Sequence, residues 1–296
     1  MNLKVVPILS VAAVLMVLWC VVESNTPLNN GARLIEAGNY QEAKDLYSAE
    51  LHGKHSADAR YLYERSYANQ MLKQYELALV DLNDAEKIVL SPNYSWTYSG
   101  SCSSCRQPID QIYLSRGTVY RLQGKNQESV DEVSKILKKN KNDCSALFQR
   151  ALSYQALSQF DNARNDLNAG LKTQGFSPEE RYLHTLGDVE KAAGRFNEAL
   201  SSYNNALKLR NCKQAYVDRA MTYLALKQVD NCKKDLESAL SVDPRFEPAL
   251  HERARLAMSE GNYAQAERDL DAAQASDPTC KLIKDDRAKL QKLKSK

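Results

Sequence analysis

Residues 183–206 read LHTLGDVEKAAGRFNEALSSYNNA, and this stretch decides the fold. Leu183, Leu186, Gly187 and Glu190 precede a break at Gly194-Arg195, and Phe196, Ala199, Tyr203 and Ala206 follow it. Offsets of three and four residues put each set on one face of a helix. Gly194, between the two faces, reads as the turn that folds one helix back on the other. The small residues are needed where the two helices cross closely. Tyr203 fills the gap toward the next pair.

The pattern recurs outward from there. Tyr40, Ala43, Tyr47; Tyr75, Ala78, Leu82, Ala85; Phe160, Ala163, Leu167, Gly170; and Tyr263, Ala266, Leu270, Ala273 keep the same offsets. Aligning the breaks at Gly38, Lys73, Gly124, Ser158, Gly194, Lys227 and Gly261 gives spacings of 35, 51, 34, 36, 33 and 34 residues. A period near 34 is two helices of about fourteen residues with tight turns. The single value of 51 is one period plus an insertion. Asp243-Pro244 and Asp277-Pro278 close their pairs, because proline cannot continue a helix.

These residues resemble the tetratricopeptide repeat (TPR) family. The resemblance implies an all-α, right-handed superhelical solenoid of about seven TPR helix pairs. The expected pairs are 24–57, 59–92, 110–143, 144–177, 180–213, 213–246 and 247–280. Residues 281–296, with Leu282, Ile283, Leu290 and Leu293, are expected to form a basic helix that caps the array. The insertion 91–109, rich in Ser, Gly, Pro and aromatics, is expected to be a loop.

Net charge is +3, and it is uneven. Residues 281–296 carry six Lys and Arg287 against Asp285 and Asp286, leaving the rest slightly acidic. A basic body suited to nucleic acid is therefore not indicated. At the other end, Lys4 leads an apolar run from Val5 to Val22 broken only by Pro7 and Ser10. That is long for a signal-peptide core and just long enough for a membrane span. Residues 1–24 are expected to be a cleaved signal or an uncleaved anchor at residues 5–22. Either would place residues 25–296 in the secretory pathway, in the endoplasmic reticulum lumen, secreted or membrane-anchored. Asn93-Tyr94-Ser95 is the only N-x-S/T sequon, so Asn93 is the expected glycosylation site.

Cys102 and Cys105 form a C-x-x-C inside the loop. Zinc needs four ligands and no second such pair exists, so the better reading is a disulfide, internal or from one of them to Cys144. Cys144, Cys212 and Cys280 lie 68 residues apart, at equivalent turns too distant to pair with one another. Cys232 takes a small-residue crossing position and reads as a packed thiol. No G-x-S-x-G, H-E-x-x-H or phosphate-cradling loop is present. The four His are scattered at 52, 55, 184 and 251. No enzyme, metal or cofactor is expected.

Binding of proteins or peptides remains. The family's positions for gripping a chaperone's C-terminal carboxylate fall here on Leu28, Ala32, Glu64, Gln111 and Ser115, and Glu64 would repel that ligand. The family's concave positions fall on Tyr63, Tyr67, Met71, Leu114, Leu122, Phe148 and Leu152, an apolar peptide-binding groove. In the fifth pair they fall on Arg181, His184, Asp188 and Lys191. The final pair, from Ala249-Leu250-His251-Glu252-Arg253-Ala254 through Asn262-Tyr263-Ala264-Gln265-Ala266 to the Lys-rich helix, resembles the segment before the J domain in endoplasmic-reticulum-lumenal TPR/J-domain co-chaperones. No His-Pro-Asp tripeptide is present, so Hsp70 stimulation does not carry over, and the Lys-Leu-Lys-Ser-Lys end is not a Lys-Asp-Glu-Leu-like retention signal. The expectation is a co-chaperone-like binder of unfolded or extended segments. The alternative is a membrane-anchored or secreted scaffold for one folded partner.

Overall fold

The structure, a computed structural model, describes residues 26–92, 94, 107–173, 179–276 and 278–295. The targeting segment, the sequon at Asn93, Cys102, Cys105 and most of the 91–109 insertion lie outside these residues. The described residues hold fifteen α-helices and no strand. They divide into two compact units, residues 1–141 and 142–296.

The first unit contains α1 (Pro27–Glu36), α2 (Tyr40–His52), α3 (Ala59–Met71), α4 (Tyr75–Val89), α5 (Pro108–Leu122) and α6 (Asn126–Lys139). The second contains α7 (Cys144–Ala156), α8 (Phe160–Leu171), α9 (Glu179–Ala192), α10 (Phe196–Leu209), α11 (Lys213–Ala225), α12 (Val229–Val242), α13 (Glu247–Ser259), α14 (Tyr263–Ser276) and α15 (Lys281–Lys294). From the second hairpin on, packing is denser within each hairpin than between hairpins, and it continues from hairpin to hairpin inside each unit. None of these helices is long and apolar enough to cross a membrane.

Seven hairpin turns share one construction. The second residue after the first helix enters the left-handed region, as Gly38, Gly124, Gly194 and Gly261 do with φ from 74° to 81°. Lys73, Ser158 and Lys227 do the same without the freedom of glycine, at φ near 59°. The next amide then donates back to a carbonyl five residues earlier, for example Arg195 N to Glu190 O at 2.8 Å and Gln74 N to Asn69 O at 2.8 Å. This bond satisfies a carbonyl that the helix end would otherwise orphan.

Inside each hairpin a small residue on the first helix faces a large one on the second. Tyr47, Leu82, Leu167, Tyr203, Leu236 and Leu270 are all fully buried. A second tie was not apparent from the apolar pattern. Arg65 binds Asp81 at 2.6 Å, Arg116 binds Glu132 at 2.8 Å, Arg150 binds Asp166 at 2.7 Å, Arg219 binds Asp235 at 2.6 Å and Arg253 binds Asp269 at 2.8 Å. Each pair is sixteen residues apart and joins the two helices of one hairpin. The first and fifth hairpins lack it, and there the larger Tyr47 and Tyr203 fill the interior.

On the terminal helix α15, Ile283 and Leu290 are buried against the preceding hairpin. Leu282, expected to help cap, is 65% exposed, because its position on α15 turns away from that stripe.

Candidate functional site

The first helix of each hairpin (α1, α3, α5, α7, α9, α11, α13) carries the residues expected to line a groove. In the first unit, α3 places Tyr67 and Met71 at 41% and 42% exposure and α5 places Leu122 at 44%. Tyr63 and Leu114 are half-buried, Tyr63 against the core of Leu62, Leu79 and Leu82. Gln70 of α3 donates to Ser115 of α5 at 2.8 Å and holds the two helices side by side. Burial of the Glu64 carboxyl raises its pKa.

In the second unit, Phe148 corrects the groove assignment. It is buried, with Ala151, Ala163, Leu167, Tyr182 and Leu186 around it. Its ring meets Tyr182 at 4.9 Å, and the Arg181 guanidinium lies over it at 4.4 Å. The fifth position of a first helix faces the first helix of the next hairpin, so a large ring there is consumed by the junction. Leu152 is half-buried against the same cluster.

The fifth hairpin gathers the charged residues. His184 Nε2 lies 3.0 Å from Asp218 Oδ2, and Lys191 Nζ lies 3.1 Å from Asp218 Oδ1 and 3.8 Å from Asp188 Oδ1. Gln214 donates to Asp218 at 3.0 Å, and Tyr203 donates to Asp188 at 2.7 Å. Sequence reasoning found His184, Asp188 and Lys191 but missed Asp218 and Tyr203. Asp218 comes from the next hairpin, at a position that no apolar periodicity marks. Burial, then the Asp218 charge, raises the Asp188 pKa. Burial also opposes ionisation of Asp218, but the His184 hydrogen bond and Lys191 outweigh it and hold Asp218 below the usual carboxylate range. Burial, then nearby carboxylates, drives the Tyr203 phenol well above its ordinary value. The His184 nitrogen and the carboxylate oxygens of Asp188 and Asp218 lie within 4.8 Å of one another. The Lys191 ammonium already lies against both carboxylates and supplies the positive charge that a metal would bring.

Among the described residues, Cys144, Cys212, Cys232 and Cys280 form no disulfide with one another. Cys232 is buried at its crossing position, and burial pushes its thiol up to about 11.

The model of the tetratricopeptide repeat family matches residues 180–211 and 213–246, the two hairpins that hold the charged cluster. A tetratricopeptide repeat protein from Parabacteroides merdae superposes with a TM-score of 0.67 at 16% identity, covering 91% of this chain and 98% of that one. PilF of Pseudomonas aeruginosa superposes with a TM-score of 0.59 at 14% identity, covering 80% and 99%. The chain thus carries tetratricopeptide repeats at residues 180–246, and its described residues share the all-α helix-hairpin fold of tetratricopeptide repeat proteins.

Among curated proteins it is similar to the DnaJ homolog subfamily C member 3 homolog of Dictyostelium discoideum, 24% identical over 241 residues, or 75% of this chain and 47% of that protein. The DnaJ homolog subfamily C member 7 homolog of the same organism is 29% identical over 131 residues, 44% and 24% of the two chains. The tetratricopeptide repeat and J domain-containing co-chaperone DNJ1 of Cryptococcus neoformans is 32% identical over 82 residues, 27% and 16%. The chain spans less than half the length of each. With these relatives, the repeats support a protein-binding module.

Proposed function

We propose that this chain is a non-catalytic, co-chaperone-like module of the secretory pathway that holds unfolded or extended polypeptide segments. The observation that carries the reading is the exposed apolar set on the first helices of the first unit: Tyr67, Met71 and Leu122. Large apolar side chains left in water on adjoining helices are a usual mark of a binding surface. Methionine adapts its shape to varied side chains, as a tolerant binder requires. Similarity to J-domain co-chaperones supports the client class. The apolar run at residues 5–22 and the sequon at Asn93 support a lumenal or secreted placement.

Replacing Tyr67, Met71 and Leu122 together by Ala should leave helical content and melting temperature within a few degrees of the parent. Each truncation should remove about 1–2 kcal/mol of binding to a denatured model protein. The variant should also stop suppressing that protein's aggregation. Full affinity in a folded triple variant would refute the reading. A single stoichiometric folded partner in crosslinking from the intact host would favour a scaffold instead.

A further inference from the structure

We propose that His184 makes the junction between α9 and α11 a pH-sensitive clasp, held more firmly when its imidazole is protonated. The geometry is a bridge between consecutive hairpins. His184 stands on α9, and its Nε2 meets Asp218 Oδ2 on α11 at 3.0 Å. The charged and titratable groups around it come from three helices. Helix α9 supplies Glu180, Asp188 and Lys191, α10 supplies Tyr203, whose ring centre is 5.7 Å away, and α11 supplies Asp218. The guanidinium that α8 sends to α9, Arg164, is taken up by Glu190 at 2.8 Å.

With His184 neutral, Asp188 and Asp218 share the one ammonium of Lys191. A proton on the imidazole balances that pair and turns a hydrogen bond with one charged partner into an ion pair. Burial disfavours the imidazolium. The Asp218 hydrogen bond and the charges of Asp188, Asp218 and Glu180 outweigh burial, so the folded chain holds this proton to higher pH than a free imidazole does. A raised folded pKa contributes stability that is complete below the unfolded value, about 6.5. The contribution is lost as pH rises through the folded value. The clasp therefore tightens on the acid side of neutrality.

The same construction closes the end of the unit. His251 of α13 meets Asp286 of α15 at 2.8 Å. Junctions of the second unit without a His–Asp bridge carry Phe148 and Val217 at the corresponding positions, both buried. Polar His–Asp junctions thus alternate with apolar ones.

The test uses the full chain and follows the His184 ring by NMR from pH 5 to 9, with the same chain unfolded in urea as the reference. His184 should titrate with the higher midpoint in the folded chain, and Asp218→Asn should lower that midpoint by about one pH unit. Melting at pH 6 and pH 8 gives the second readout. His184→Gln retains an amide donor for Asp218 but carries no charge, so its acid-side gain in melting temperature should fall short of the parent's by about 2–4 °C. Coincident midpoints for His184 in the folded and unfolded chain overturn the clasp, as does an unchanged pH response in His184→Gln. Should either variant fail to fold, the parent titration alone decides.

Discussion

Tyr203 occupies the space that a side chain on Gly187 would need: a Cβ added there would stand 2.5 Å from Cε1 of the ring. The match is one of size across the hairpin. Hairpins with Ala at this position, namely Ala151, Ala220 and Ala254, carry Leu167, Leu236 and Leu270 opposite, and the glycine hairpins of Gly31 and Gly187 carry Tyr47 and Tyr203; the third glycine, Gly117, departs from this and faces Val133, whose Cγ2 would stand 2.6 Å from an added Cβ.

Gly187→Ala should therefore destabilise the chain by about 1–3 kcal/mol through overpacking. Gly187→Ala with Tyr203→Leu recreates the Ala–Leu pairing and should recover part of that loss in urea titrations. Recovery will be incomplete, because the leucine cannot donate to Asp188 as Tyr203 does. A double variant less stable than Gly187→Ala would show that the two positions are not matched by size.

Arg219→Ala strands the Asp235 carboxylate, which is 5% exposed. Losing one member of a buried pair removes about 3–5 kcal/mol. Arg219 retains 17% side-chain exposure, which places the expectation at the low end. Replacing both members with Met and Leu should be markedly milder. Denaturant midpoints at constant m-value provide the measurement.

Phe148 and Tyr67 should part company on truncation. Phe148→Ala opens a cavity beside Tyr182 and Leu167 and should lower stability by about 3–5 kcal/mol. Tyr67→Ala, at an exposed site, should stay within about 0.5 kcal/mol. Equal losses in calorimetry would remove the distinction between junction and open face.

Glu86 sets an acid response in the first unit. Burial works against its charge, but the hydrogen bond and charge of Arg116, 2.6 Å away, hold its carboxyl below the ordinary glutamate value. A depressed folded pKa contributes stability above the unfolded value, about 4.3, and that contribution is lost as pH falls through the folded value. Glu86→Gln should therefore flatten the fall in stability between about pH 5 and pH 3. An unchanged slope in acid-titrated unfolding would exclude Glu86 as a contributor.

The helical repeat was legible because Ala199, Tyr203 and Ala206 sit where only a close helix crossing wants that order of sizes. The arginine–carboxylate ties were legible too, as Arg and Asp or Glu sixteen residues apart. An alignment of apolar positions passes over them. Phe148 was misplaced for a physical reason: the same helical position faces either water or the next hairpin, depending on what the next hairpin brings, and here it brings Tyr182. Asp218 illustrates the same limit. Its tie to His184 is made in space, thirty-four residues away.

The hairpin turns alternate strictly: Gly38, Lys73, Gly124, Ser158, Gly194, Lys227, Gly261. Cysteine opens α7 and precedes α11 and α15, every second hairpin in the second unit. The module that repeats is therefore a four-helix doublet of about 68 residues, twice the 34-residue repeat. Excising one hairpin would set two like turns side by side and throw His–Asp junctions out of step with apolar ones. Excising a doublet would leave the rhythm of the chain intact.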